Sequence, residues 1–220
     1  FEYDQITTLI TLLQEDPETR RAVLTMWSAQ HDLGSNSKDI PCNTQAYFDL
    51  RGGALNMTVC CRSNDIIWGA YGANAVHFSI LQEFIAAGVG VPMGIYYQIS
   101  NNYHMYPEHY AIDNLKLRLV EDHYEHPSIH PHALVHTDIY TWMRDLYKFM
   151  DVTRREHATY EDPFFSTVAL PMYTAWIDRK NGRGSGLDAA ESIAAPDWWL
   201  ACTQWIKRAD ERRKNNVKEG

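Results

Sequence analysis

The sequence predicts an α/β (α+β) chain, with a sheet covered by helices over residues 1–109 and a mostly helical extension over 110–220. Three observations carry this. Two apolar runs, Ala46 to Leu50 and Leu55 to Cys61, flank Arg51-Gly52-Gly53, whose glycines can take the positive φ of a tight hairpin turn. Val76, Ile80, Leu81, Phe84 and Ile85 then recur at helical spacing. After Tyr106 the strand signals give way to long apolar-periodic stretches.

In chain order, Ile6, Leu9, Leu12 and Leu13 share one helical face, and Asp16-Pro17 ends that helix because a residue before proline is pushed out of the α region. Arg20 to Trp27 reads as a strand from its β-branched and aromatic content, and the polar stretch His31 to Asp39 as a loop. After the hairpin, Asn74 to Ala87 predicts a buried helix closed by Gly88, and Val91 to Ile99 a strand ending at Ser100-Asn101-Asn102. Further helices are predicted over Asp138 to Met150, Pro171 to Arg179 and Trp198 to Arg213, with a glycine-rich break at Asn181 to Gly186. No internal repeat or low-complexity segment is visible.

At 220 residues, 45% hydrophobic and 22% charged, the chain can bury a substantial core. No run approaches the roughly 20 apolar residues of a membrane span, and Phe1 to Asp16 lacks the features of a signal peptide. Four cysteines, Cys60 and Cys61 adjacent, form no CxxC pair and no disulfide framework, so a reducing, cytoplasmic setting is expected. The net charge of −8 argues against broad nucleic-acid binding. A small anion remains possible, provided arginines cluster locally. Phe1 is no initiator Met and runs straight into a helical pattern, so the beginning of the protein is expected to be absent from this sequence.

Three pieces carry candidate chemistry: Pro41-Cys42-Asn43 before a strand, Cys61-Arg62-Ser63-Asn64-Asp65 after one, and Tyr103-His104-Met105-Tyr106 after another. Singly they are bland. A cysteine before a strand is more often a small buried hydrophobe than a nucleophile, and Arg20-Arg21 alone reads as a solvated corner. Together with Asp4-Gln5-Ile6, Asp16-Pro17 and Arg20-Arg21, their order and spacing resemble the thymidylate synthases from Phe1 to about His109. The family pattern continues with a Gly and an Asn, met here by Gly72-Ala73-Asn74 after one extra residue near Ala70 to Ala73.

The resemblance implies a mixed or predominantly antiparallel sheet covered by helices, a homodimer, and one-carbon transfer from 5,10-methylenetetrahydrofolate to C5 of a pyrimidine deoxynucleoside monophosphate, dUMP. C5 of uracil becomes nucleophilic once a soft nucleophile adds at C6, and a thiolate suits that addition. By resemblance Cys42 is the nucleophile, with Arg62 as its charged neighbour. Arg62 and Ser63 grip the phosphate, joined by Arg20 and Arg21 from the partner subunit. Asn74 meets the uracil N3–H and O4, His104 and Tyr106 hold the ribose hydroxyl, and Asp65 contacts the folate.

This chain departs from the pattern at Asn43, where the synthases usually have histidine, at Asn102, where an acid is common, and beyond His109, where the family's final strand is not recognisable. Methylation to dTMP, the commonest family activity, is set ahead of hydroxymethylation of dUMP or dCMP, in which water replaces hydride. The stretch Trp68 to Asn74 also resembles virus-encoded members, and Asn74 favours uracil over cytosine. A non-catalytic nucleotide-binding or dimerisation module is the reading of another class. His123, His126, His130, His132 and His136 crowd one stretch, but Pro127 and Pro131 interrupt any helix, so a solvent-facing loop is favoured over a zinc site. Trp198, Trp199 and Trp205 beside Lys207, Arg208, Arg212 and Arg213 read as a helix packing its aromatics inward, not as a nucleic-acid surface.

Overall fold

The computed structural model describes residues 4–109, 122–153 and 155–218. The chain divides into two compact units, Phe1–Leu117 and Arg118–Gly220.

The first unit opens with α1 (Gln5–Glu15), whose free amides at Ile6 and Thr7 are both satisfied by Asp4 Oδ1 at 3.1 Å. The helix stops at Asp16, before Pro17, and buries Leu9, Ile10 and Leu13. A four-stranded sheet follows in the order β1 (Val23–Thr25), β2 (Asn43–Arg51), β3 (Ala54–Cys61), β5 (Met93–Ser100). A four-residue helix α2 (Ala29–Asp32) occupies the start of the loop expected over His31 to Asp39. Strands β2 and β3 pair antiparallel with Arg51 opposite Ala54, so Gly52 (φ 61°) and Gly53 (φ 77°) form the whole turn, a backbone that glycine adopts without strain. β5 returns parallel to β3 through α3 (Asn74–Val89), which makes the sheet mixed.

One sheet face is the core: Leu24, Ala46, Phe48, Leu55, Met57, Val59 and Cys61 are buried, with α1 against β1 and α3 against β3. Each fully buried side chain such as Leu55 or Val59 contributes about 1.5–3 kcal/mol. The other face is left open, and β5 presents Met93, Ile95, Tyr97 and Ile99 there, 48–58% exposed.

Three local expectations are corrected. The strand predicted over Arg20 to Trp27 pairs only at Val23–Thr25, because Met26 and Trp27 both turn their amides onto Thr44 O, where the β2–β3 register shifts. Gly88 does not close α3; it lies within the helix, where a Cβ would come within 2.7 Å of Ile10 Cδ1, and the left-handed residue that ends the helix is Gly90 (φ 85°). A π-helical segment, Ile66–Ala73, precedes α3 and was not anticipated; Asp65 Oδ1 caps it by accepting from Ile67 N and Trp68 N. Short strands β4 (Asn64–Asp65) and β6 (Tyr103–His104) pair parallel beside it.

The second unit contains α4 (Ile139–Met150), α5 (Leu170–Lys180), α6 (Leu187–Glu191) and α7 (Pro196–Lys218). Its core gathers around Phe165, 1% exposed, which stacks on Tyr160 and meets Trp142, Phe149 and Phe164. The buried side of α7 carries Cys202, Thr203 and Ile206, whereas Trp199 and Trp205 are 38% and 40% exposed, so of the three tryptophans only Trp198 packs inward, against Phe164. His132 and His136 meet through their Nε2 atoms at 3.0 Å, and among the described residues no group of three metal-capable side chains forms. No described helix is long and apolar enough to cross a membrane.

Candidate active site

The three sequence pieces converge at the end of the sheet where β2 begins and β3 and β5 end. Backbone hydrogen bonds stitch them side by side: Arg62 N donates to Cys42 O, Asn102 N to Arg62 O, Asn101 N to Cys61 O and Asn64 N to Asn102 O. The exposed thiol of Cys42 therefore stands on a framework made by strand pairing, not on a free loop.

Arg62 is spent on holding that thiol. Its Nε donates to Pro41 O at 2.9 Å, its Nη2 to Ile40 O at 3.1 Å, and the same Nη2 lies 3.8 Å from Cys42 Sγ. The guanidinium also lies over the Trp27 ring, 5.5 Å from its centroid. A fixed positive charge thus sits beside the Cys42 sulfur, while Nη1 has no bonded partner among the described residues and is available to an anion. Cys61, buried and close to Cys60 and Cys42, is the opposite case: burial first, then its sulfur neighbours, push its thiol up to about 11, so it is no nucleophile.

Behind Cys42 runs a chain of amides. Cys61 Sγ donates to Asn43 Oδ1 at 3.0 Å, Asn43 Nδ2 to Asn74 Oδ1 at 3.2 Å, and Asn74 Nδ2 to Asn64 Oδ1 at 2.9 Å. Asn64, 2% exposed, donates on to Gln98 Oε1 and, at 2.9 Å, to Ser100 Oγ; Gln98 Nε2 reaches Tyr96 OH. Gly69 is required for this arrangement, since a Cβ there would collide with Asn64 Oδ1 and press to 3.3 Å on Asn74 Nδ2.

Of the residues expected from sequence, Cys42, Arg62, Ser63 and Asn74 meet here, Ser63 half-buried between Arg62 and Asn64. Asp65 and His104 are brought together by the β4–β6 pairing, and His104 and Tyr106 meet edge to face at 4.9 Å. Asp65 has one oxygen committed to capping the π-helical segment. Arg20 and Arg21 do not join them. Ala22 O bonds Phe48 N, six residues along β2 from Cys42, a separation of roughly 20 Å of strand. Both arginines are exposed at the hairpin end of the sheet.

The sequence reading missed Asn64, Gln98, Ser100 and Tyr96 as site residues. A signal existed: β5 alternates Met93, Ile95, Tyr97, Ile99 with Gly94, Tyr96, Gln98, Ser100, and the apolar set is the exposed one. Polar side chains on the inward face of a strand need partners, and they mark the site. Tyr96, Gln98 and Ser100, with Tyr71 and Tyr103, line a cleft of about 500 Å³ beside the amide chain. Trp68 and Tyr71 nearby are 75% and 80% exposed.

Comparison with known proteins places these features in a family. The thymidylate synthase model matches residues 1–159, beyond the point at His109 where the motifs fade. A deoxyuridylate hydroxymethyltransferase of Pseudomonas phage M6 is 42% identical over 232 residues, covering 97% of this chain and 66% of that protein. One from Bacillus phage SP01 is 39% identical over 109 residues, covering 49% of this chain and 28% of its own length. The thymidylate synthase of Bacillus subtilis subsp. natto is 28% identical over 158 residues, 72% of this chain and 54% of that enzyme. The chain thus spans about two thirds of the phage M6 protein and less of the others. With the family model covering most of its length, the chain belongs to the thymidylate synthase family.

Proposed function

We propose that this chain is the catalytic part of a deoxyuridylate hydroxymethyltransferase, transferring a one-carbon unit to C5 of dUMP with water completing the product. The observation that carries this reading is the 42% identity to the phage M6 enzyme across 97% of the chain, helical unit included, against 28% to a thymidylate synthase over 158 residues. Asn43 in place of the histidine of the resembled synthases supports it, because that side chain is tied into the amide chain at Asn74 and Cys61.

In this reading Cys42 Sγ adds to C6 of the pyrimidine, the C5–C6 π pair moves into an enolate ending on O4, and Arg62 supplies the charge beside the sulfur. Asn74 offers an N–H to O4 and a lone pair to N3–H. Arg62 Nη1 and Ser63 take the phosphate, and His104 and Tyr106 the ribose hydroxyl. The aromatic cleft of Tyr71 and Tyr103 fits a flat heterocycle and would take the folate, with Asp65 the residue assigned to contact it. When bound, 5,10-methylenetetrahydrofolate supplies a carbon at the oxidation level of formaldehyde. The exposed apolar face of β5 supports a homodimer formed through the sheet, which would bring Arg20 and Arg21 of a second subunit to the phosphate.

The test is the product made from dUMP and 5,10-methylenetetrahydrofolate, read by mass spectrometry with Cys42→Ser as control. A 5-hydroxymethyl product with tetrahydrofolate returned is expected. A methyl product with dihydrofolate released makes the chain a thymidylate synthase instead, and nucleotide binding with neither a covalent adduct nor a product makes it a binding module.

A further inference from the structure

Where α5 meets α7, the second unit inverts ordinary packing: a cation is buried and tryptophans are exposed. Arg179 is 5% exposed, whereas Trp176 and Trp205 are 43% and 40% exposed. With Lys180 and Ala209 they line a hollow of about 280 Å³. We propose that this hollow is a nucleotide site separate from the one at Cys42, taking a flat base against the indole rings and a phosphate at the two cations. None of its residues belongs to the first unit, and it does not depend on which reaction Cys42 performs.

Trp176, Arg179 and Lys180 stand at i, i+3 and i+4 on α5, and Trp205 and Ala209 at i and i+4 on α7, so each helix gives the hollow one short row. Arg179 Nη1 donates to Asp210 Oδ1 at 2.6 Å, an ion pair that ties the two helices together. Its Nη2 is buried with no partner among the described residues. A charged donor shut away from water without an acceptor is costly. Cations in the last turn of a helix do gain from its dipole, but that gain requires neither the burial nor the open donor. An anionic oxygen supplies the missing acceptor. The Trp205 ring lies over the guanidinium, 5.8 Å from Cζ to its centroid, and being half-exposed it is the cover that turns aside to admit the oxygen. Lys180 Nζ stands 4.7 Å from the Trp176 centroid, and Trp176 is braced from behind by the Tyr173 ring at 5.8 Å. Each cation therefore sits beside an indole, the pairing that a stacked base and its phosphate use together. Ala209, with a single side-chain carbon, leaves the hollow unfilled. The net charge of −8 confines this chemistry to the local cluster and makes no broad nucleic-acid surface.

A nucleotide reaches such a site either free in solution or as one unit of a single strand, and the probes separate the two. They are dAMP, deoxyadenosine and an oligodeoxyadenylate of about six nucleotides, titrated into the full chain by isothermal titration calorimetry with excess dUMP present to occupy the Cys42 site. dAMP should bind about tenfold tighter than deoxyadenosine, because the phosphate meets two cations. Trp176→Ala should weaken dAMP by about tenfold, the worth of one base stacked on an aromatic ring, and Lys180→Gln by about fivefold. Both side chains are exposed, so melting should not change. Tyr140→Ala removes a ring that is 64% exposed on α4 and should leave binding within about twofold. Asp210→Asn releases Arg179 Nη1 from its carboxylate and should tighten dAMP by about threefold or more, a gain that a purely aromatic surface would not show; if that variant does not fold, the two exposed variants decide. A strand bound about tenfold or more tighter than dAMP, with affinity that falls as salt rises, assigns the source to single-stranded DNA, and a smaller difference assigns it to the free nucleotide. No binding of dAMP or the strand at millimolar concentration, or binding that Trp176→Ala and Lys180→Gln leave unchanged, overturns the site. None of these readings uses turnover at Cys42, so failure of the proposed reaction and failure of this site are told apart.

Discussion

At Cys42 the backbone does most of the positioning, and Arg62 does the rest. Three donor contacts from one guanidinium, to Pro41 O, Ile40 O and Cys42 Sγ, fix both the loop before β2 and the charge beside the sulfur. These two tasks separate in Arg62→Gln, which keeps an amide donor and deletes the charge. Alkylation of Cys42 by iodoacetamide near neutral pH, followed on its own peptide by mass spectrometry, should slow by about tenfold, since one charge-assisted contact is worth about 1.5–3 kcal/mol. Melting should change little, because the site is at the surface. An unchanged alkylation rate would mean that the guanidinium serves only the loop.

Among the elements, the second unit depends on a buried carboxylate. Asp145, within α4 and 0% exposed, pairs with Lys148 at 2.7 Å and accepts from the amides of Glu161 and Asp162. Burial acts to raise its pKa, but Lys148 and those two amides outweigh it and hold the carboxyl below the ordinary value of 3.8. A folded-state pKa below the unfolded one contributes stability that is present above pH 3.8 and lost as pH falls through the depressed value. Asp145→Asn should therefore cost about 1–3 kcal/mol near neutral pH, and the gap to the native chain should narrow in acid. Urea titrations at neutral pH and near pH 3 check both statements. Asp145 was not picked out from sequence, because one acid on an amphipathic helix looks solvated until its partners, sixteen and seventeen residues on, are known. The hairpin was legible because Gly52 and Gly53 signal its turn locally, and α1 because Asp4 and Pro17 bracket it. The π-helical segment was not legible, since its wider spacing leaves no periodic pattern in eight residues. The amide chain was missed for a related reason: its members come from β2, β3, β5 and α3 and the link at Asn64, and only the fold brings them together. The motif residues Cys42, Arg62 and Asn74, which the fold brings to one end of the sheet, were singled out by order along the chain, which a family resemblance preserves even where local physics is silent.

For the whole molecule, the proposed dimer bears on where Arg20 and Arg21 act. Arg20 and Arg21 stand at the hairpin end of the sheet while Cys42 stands at the other, so one chain cannot use both at one nucleotide. The proposed isologous dimer through the open sheet face would remove the conflict, because a two-fold axis can set the hairpin end of one subunit toward the thiol end of the other. The exposed Met93, Ile95, Tyr97 and Ile99 give that face the apolar character such a contact would use. Light scattering should then show a dimer that Ile95→Lys dissociates, with a loss of turnover although the Ile95 side chain lies on the exposed face of β5 and those of Tyr96, Gln98 and Ser100 on the other. Sharing of sites has a sharper consequence. Arg21→Ala and Cys42→Ser subunits, each inactive alone, should form mixed dimers that hold one intact site apiece. When the two are unfolded together in equal amounts and refolded, about a quarter of the native activity should return, because half the dimers are mixed and each of those has one working site of two. Activity that stays at the level of the separate variants would place the arginines in the same chain's site or outside catalysis, and would remove the reason for a dimer in this chemistry.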